Sequence, residues 1–242
     1  MPSTTALSPS SSLLALLERW SRVHAVAVLA ATGGALVLRG AWPIALVGSL
    51  SIGALGLARA RAGVRVGNAA NGVTAFRLAL VALLGLVALT PASGWLVAAV
   101  VLAVFVLDGL DGALARRFGT ESAFGARLDL ETDALLVLVV DFLLLSVWGY
   151  GAWILVSGLL RYLYVLTLAV LPPAEHAPRT RCARGAFGAF VTSRIAALAL
   201  PASVAGPVAF VGSLLLWYSF FRSFRAAFSR LRSRRLHARH RA

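Results

Sequence analysis

Lysine is absent from this chain: all 23 basic residues among its 242 are arginine. Acid is scarce as well, with nine Asp and Glu in total. Charged residues make up 13% of the chain against 60% hydrophobic, whereas a soluble domain carries roughly a quarter of its residues charged. Too little polar surface remains to cover a water-facing globule. A single cysteine, Cys182, excludes an internal disulfide and reads as a structural free thiol. The first 22 residues hold no basic region ahead of an apolar core, so no cleaved signal peptide is expected.

What is present in quantity is apolar sequence, and mean hydropathy is +0.85. Apolar runs lie at about 23–38, 42–58, 71–90, 94–114, 127–148, 151–171, 187–204 and 207–223. Helices of about 20 residues cross a hydrocarbon core of about 30 Å. The fold expected is therefore an all-α polytopic membrane protein with six to eight spans. Turn residues mark three of the linkers: Pro91-Ala92-Ser93-Gly94, Gly149-Tyr150-Gly151 and Gly206-Pro207. Residues 1–12, rich in Ser, Thr and Pro, are expected to be disordered. Leu13 to Arg22 reads as a short interfacial helix with Arg19 and Arg22 on its wet side.

The net charge of +14 suggests nucleic acid at first sight, but the arginines cluster at the ends of apolar runs. With the N-terminus inside, the cytoplasmic segments hold nineteen arginines and the opposite loops only Arg39. That asymmetry is the positive-inside rule, and it places both termini in the cytoplasm. The eight tail arginines from Arg222 to Arg241 then read as a topology determinant on anionic headgroups, with no nucleic acid partner.

Six of the nine acids fall between Asp108 and Asp133. A carboxylate near the bilayer centre costs at least about 2.5 kcal/mol, so such residues are functional candidates. Asp108 and Asp111 share one helical face, offset by about 4.5 Å, at the end of a run. Asp129 and Asp133, about 6 Å apart, share a face at the start of the next. If these helices are antiparallel neighbours, the four carboxylates converge, and divalent cations relieve their repulsion. Oxygen ligands with no His or Cys nearby favour Mg²⁺ or Mn²⁺ over Zn²⁺. Gly112 and Gly125 admit a bulky ligand close to the backbone, and Arg116 can aim a guanidinium at phosphate oxygens.

Residues 108–133 thus read Asp108-x-x-Asp111-Gly112-x-x-Ala115-Arg116, eight residues, Gly125-x-x-x-Asp129-x-x-x-Asp133. This resembles the signature of the CDP-alcohol phosphatidyltransferase family, with every fixed position and the gap matched. The stretch from Asn71 to Arg77 looks like the start of that family's first core helix. The resemblance implies six transmembrane helices around a cavity open to the cytoplasm, in a homodimer. It divides the chain into a cytoplasmic segment (1–22), an added transmembrane hairpin (23–58), a catalytic six-helix domain (68–223) and a basic tail (224–242).

By the same resemblance, Asp108, Asp111 and Asp129 bind metal, a pair of Mg²⁺ or Mn²⁺ ions. Asp133 completes the metal site and is the general base. Gly112, Arg116 and Ser122 contact the CDP group, with Ala115, Gly125, Asn71 and Thr74 beside it. The implied reaction moves a phosphoalcohol group, foremost phosphatidyl from CDP-diacylglycerol, to an acceptor hydroxyl and releases CMP. The implied location is a bacterial inner membrane, with the site on the cytoplasmic side. A CDP-aminoalcohol donor with diacylglycerol as acceptor is the alternative within the family. A cation transporter with an aspartate ion site is the alternative outside it, but its site belongs near the bilayer midplane and leaves the glycines and Arg116 unexplained.

Other charged residues carry weaker expectations. Asp141 and Arg161 are expected to pair inside the bundle. Arg77 and Arg194 either snorkel to the interface or line the cavity. Arg184 and Arg194 are candidate ligands for a phosphorylated acceptor, because guanidiniums bind phosphate bidentately.

Overall fold

The computed structural model of the chain describes residues 9–61, 69–90, 93–118, 122–170 and 181–239. Within that range, the side chains of 9–12, 60, 69–71, 88, 111–116, 118, 181, 182, 184 and 230–239 lie outside the description. The described residues form eight α-helices and no strand: α1 (Pro9–Leu38), α2 (Trp42–Arg61), α3 (Ala69–Gly85), α4 (Gly94–Phe118), α5 (Ala123–Ser146), α6 (Leu155–Val170), α7 (Arg181–Ala199) and α8 (Ala202–Arg239). Only helices satisfy every backbone group within lipid without pairing to another segment, which is why apolar runs of this length fold this way.

Four segments are long and apolar enough to cross a membrane: Leu13–Leu38, Trp42–Arg59, Ala152–Val170 and Ala202–Ser229. Gly72–Gly85, Gly94–Leu110 and Gly185–Ala199 are shorter apolar helices. Helix α5 is different, because Arg127, Asp129, Glu131, Asp133 and Asp141 interrupt its apolar sequence. It is nevertheless the centre of the bundle. Every residue from Ala134 to Leu144 is buried, and α1, α2, α3, α6 and α7 all pack against it. The stretch from Ala134 to Leu144, apolar on every side but for Asp141, belongs in such a central place. Small residues let its neighbours close in: a Cβ at Gly158 of α6 would lie 2.7 Å from the Leu138 Cα.

The fold departs from the sequence reading in three places. First, α1 is continuous from Pro9 to Leu38, with no break between an interfacial helix and a span. Leu17, Ser21 and His24 are buried along one side of it, so protein contacts fix this segment. Of residues 1–12, expected to be disordered, 9–12 belong to α1 and 1–8 lie outside the described residues. Second, the turn between α7 and α8 is drawn by Pro201, not by Gly206-Pro207. Val204 and Ala205 donate to the Pro201 carbonyl at 3.0 and 2.9 Å, and Pro207 is carried inside α8. Helix α8 then runs on through the basic tail to Arg239.

Third, Asp141 does not pair with Arg161. Helices α5 and α6 are antiparallel, and the closure of Gly158 on Leu138 sets their register. Each step along α5 meets an earlier residue of α6, so Asp141 lies level with the start of α6 and Arg161 lies level with Leu135, from where its long side chain reaches Glu131 one turn away. Arg161 Nη2 donates to Glu131 Oε1 at 2.6 Å, while Asp141 takes Arg194 Nε at 2.5 Å.

Candidate active site

The site forms where α3 begins, α4 ends and α5 begins. Ser122 fixes the start of α5: its backbone is extended (φ −140°) and its hydroxyl accepts from the Gly125 N–H at 3.0 Å, a helix N-cap. That start puts Asp129 and Asp133 on successive turns of one face. Asp108 comes across from α4. One carboxylate oxygen from each of Asp108, Asp129 and Asp133 lies within 4.8 Å of the others. All three side chains are partly open, at 25%, 33% and 20% exposure respectively.

Arg77 of α3 closes the cluster from below. Its side chain is wholly buried, and Nη1 reaches Asp108 at 2.7 Å. Nη1 also donates to Asp129, and Nη2 to Asp133. The buried guanidinium is the natural counter-charge for a knot of carboxylates. Still, carboxylates outnumber it three to one, which leaves the site negative. Among the described residues, Asp108 Oδ1 is buried with no hydrogen bond and has only the ion pair with Arg77 beside it. A set of oxygen donors, excess negative charge and a buried carboxylate oxygen without a hydrogen bond fits a divalent cation of the Mg²⁺ or Mn²⁺ type.

The structure therefore brings together Asp108, Asp129 and Asp133 as expected from their spacing. Asp111, Gly112, Ala115 and Arg116 continue α4 beyond Asp108, and their side chains lie outside the described residues, as do those of Asn71 and Arg184. Thr74 stands half-buried one turn before Arg77 on α3. Gly125 sits in the first turn of α5, where an added Cβ would meet only Ser122 Oγ, at 3.2 Å.

Arg194 is a correction. It is 2% exposed, and its partner Asp141 lies about 12 Å beyond Asp133 along α5. Its other donors go to the Ala209 carbonyl at 3.0 Å, Ser213 Oγ at 2.8 Å and Ser157 Oγ at 3.2 Å. Four of the five N–H donors of this buried guanidinium are thus spent inside the bundle, away from the carboxylate cluster. Arg77 is the functional side chain that sequence reasoning left undecided between snorkelling and lining the cavity. The signal was its place: the one charge inside an otherwise apolar α3, two turns from the helix start.

Residues 67–224 match the family model for CDP-alcohol phosphatidyltransferase. The match covers well over half of the chain and runs from the approach to α3 through the apolar part of α8. The chain belongs to the CDP-alcohol phosphatidyltransferase family. No curated protein and no solved structure matches it. Its class is accordingly that of membrane-embedded transferases that take a phosphoalcohol group from a CDP-alcohol, a family that typically uses divalent metals. Helices α1 and α2 precede the matched region.

Proposed function

We propose that the protein transfers a phosphatidyl group from CDP-diacylglycerol to the hydroxyl of a small phosphorylated polyol and releases CMP. The observation that carries this reading is the convergence of Asp108, Asp129 and Asp133 around Arg77 within the family's motif. Asp108, Asp111 and Asp129 would hold Mg²⁺ or Mn²⁺, with Asp133 completing the set. A pair of such ions supplies positive charge for the diphosphate and for the oxygens that attack and leave.

The chain's own residues do the rest. Asp133 accepts the proton of the acceptor hydroxyl, whose oxygen bonds to the β-phosphorus as the bond from that phosphorus to CMP breaks. Arg77 holds Asp129 and Asp133 in place, since a rigid two-pronged donor limits how each carboxylate can turn. Gly112, Ala115 and Gly125 leave room for the CDP group, and Arg116, Ser122, Asn71 and Thr74 offer it donors. Arg184, at the start of α7, is the remaining candidate for the acceptor's phosphate. Positioning and electrostatics carry most phosphoryl transfers, so a site with fixed charges and little other chemistry suits the task.

The arginine asymmetry supports a cytoplasmic site and the family resemblance supports a homodimer in a bacterial inner membrane. Transfer from a CDP-aminoalcohol to diacylglycerol uses the same site and is the second reading. The experiment that separates them is CMP release by detergent-solubilised protein across a panel of donors and acceptors. Release with CDP-diacylglycerol and a phosphorylated polyol supports the first reading. Release only with a CDP-aminoalcohol and diacylglycerol replaces it with the second.

A further inference from the structure

Glu131 sits between Asp129 and Asp133 in sequence but about 200° round the helix from each. It therefore points out of the back of α5, away from the carboxylate cluster. Its side chain is 1% exposed. Three partners hold it. Ser21 of α1 donates to Oε1 at 2.9 Å, Arg161 of α6 donates at 2.6 Å, and Arg127, one turn back on α5, forms an ion pair at 3.4 Å. Arg127 Nε also donates to Ser21 Oγ at 2.7 Å, so the serine joins the two charges. Trp20 and His24 flank Ser21 on α1 and stack with ring centroids 4.9 Å apart.

The relation between front and back of α5 matters for geometry. Arg77 holds the front through Asp129 and Asp133, and Ser21 and Arg161 hold the back through Glu131. A carboxylate about 6 Å from the helix axis moves about 2 Å when the helix turns by about 20°. Metal sites tolerate ligand displacements of only about 0.2 Å. A buried carboxylate cannot trade its partners for water, so Glu131 pins the rotation of α5 wherever α1 and α6 stand. Helix α1 lies outside the region matched to the family, yet it supplies one of these holds.

We propose that Glu131 is a positioning residue for the metal site, and that α1 braces the catalytic helix through Ser21. This rests on the metal-dependent reading given above. The test is Mn²⁺ binding to the full-length protein in detergent, followed by the loss of the free-ion electron paramagnetic resonance signal. Thermal midpoints in chelator confirm that each variant is folded. Glu131→Gln keeps the shape and removes the charge, and should weaken Mn²⁺ binding about tenfold, as losses behind metal ligands do. Ser21→Ala removes two hydrogen bonds to charged partners but no charge of its own, is the milder change, and should weaken it about threefold. Ser49→Ala, at a half-buried serine of α2 whose hydroxyl has no hydrogen-bond partner among the described residues, should leave it unchanged.

Wild-type Mn²⁺ affinity in folded Glu131→Gln and Ser21→Ala overturns the proposal and leaves the metal reading standing. If Glu131→Gln fails to fold, Ser21→Ala alone decides. No Mn²⁺ binding by the unaltered protein overturns the metal reading first, and the brace with it.

Discussion

Arg194 and Asp141 meet at 2.5 Å deep within the bundle, and both are essentially closed to solvent. The pair lies in a network that ties four helices together: Asp141 from α5, Ser157 from α6, Arg194 from α7, and Ala209, Ser213 and Trp217 from α8. The Phe190 ring covers the guanidinium at 4.2 Å. Removing one member of a buried pair strands the other charge and costs about 3–5 kcal/mol. Arg194→Gln should therefore lower the thermal midpoint strongly. Arg194→Lys should not rescue it, because an ammonium cannot span Asp141, Ser213 and Ala209 at once. Thermal unfolding in detergent checks both. An unchanged midpoint with a raised acceptor KM would return Arg194 to the role of acceptor ligand.

Arg77 gives a related prediction with a different signature. It is the only described cation set among the three aspartates. Arg77→Gln should lower the thermal midpoint in chelator by about 5 °C or more, given the cost of unpaired carboxylates and the size of the chain. Added Mn²⁺ should then raise the midpoint further in the variant than in the parent, because the ion supplies the missing charge. Equal shifts in the two proteins would show that Arg77 does not neutralise the site.

Much of this was legible in the sequence, and the exceptions have physical reasons. Period and composition located the helices because lipid leaves few alternatives for apolar runs of this length. The four-residue step from Asp129 to Asp133 put both on one helical face, whereas the meeting of Asp108 with them was expected only on the condition that its helix neighbours theirs. The partner of Asp141 was not legible. It depends on the register of α5 against α6, which Gly158 and its contact with Leu138 set, and on the approach of α7, and a single chain of letters does not display register. The Pro207 boundary failed for a related reason. A proline near a helix start is tolerated, so Gly206-Pro207 need not end a helix, and the backbone bonds to the Pro201 carbonyl put the turn there instead. Arg77 stayed ambiguous because snorkelling and site formation require the same residue near a helix end.

Topology supplies a third test. In a Cys182→Ser background, single cysteines at Ser93, Gly151 and Ala202 should react with an impermeant thiol reagent from outside intact cells. Cys182 in the unaltered chain should react only after the membrane is opened. These positions lie at opposite ends of alternating helices, and arginine density assigns the sides. Outside labelling of Cys182 would invert the topology and move the site away from the cytoplasm.

Arg184 is the remaining candidate for acceptor binding. Arg184→Ala should raise the acceptor's KM about tenfold and leave the donor's nearly unchanged, the loss expected of one charged hydrogen bond. Steady-state kinetics with each substrate varied in turn measure this. Equal activity with an unphosphorylated alcohol, or no effect on the acceptor, would leave Arg184 as a topology signal only.

The central claim is that the aspartate cluster performs metal-dependent phosphoryl transfer, with Asp133 taking the proton. The measurement that meets it most directly is CMP release from CDP-diacylglycerol by the parent protein and by Asp133→Asn, side by side with donor binding. Chelation should abolish release and restored Mg²⁺ or Mn²⁺ should recover it. Asp133→Asn should bind the donor but turn over at least about a hundredfold more slowly, the loss of a general base. Near-parental release by Asp133→Asn, or release that persists in chelator, would contradict the account.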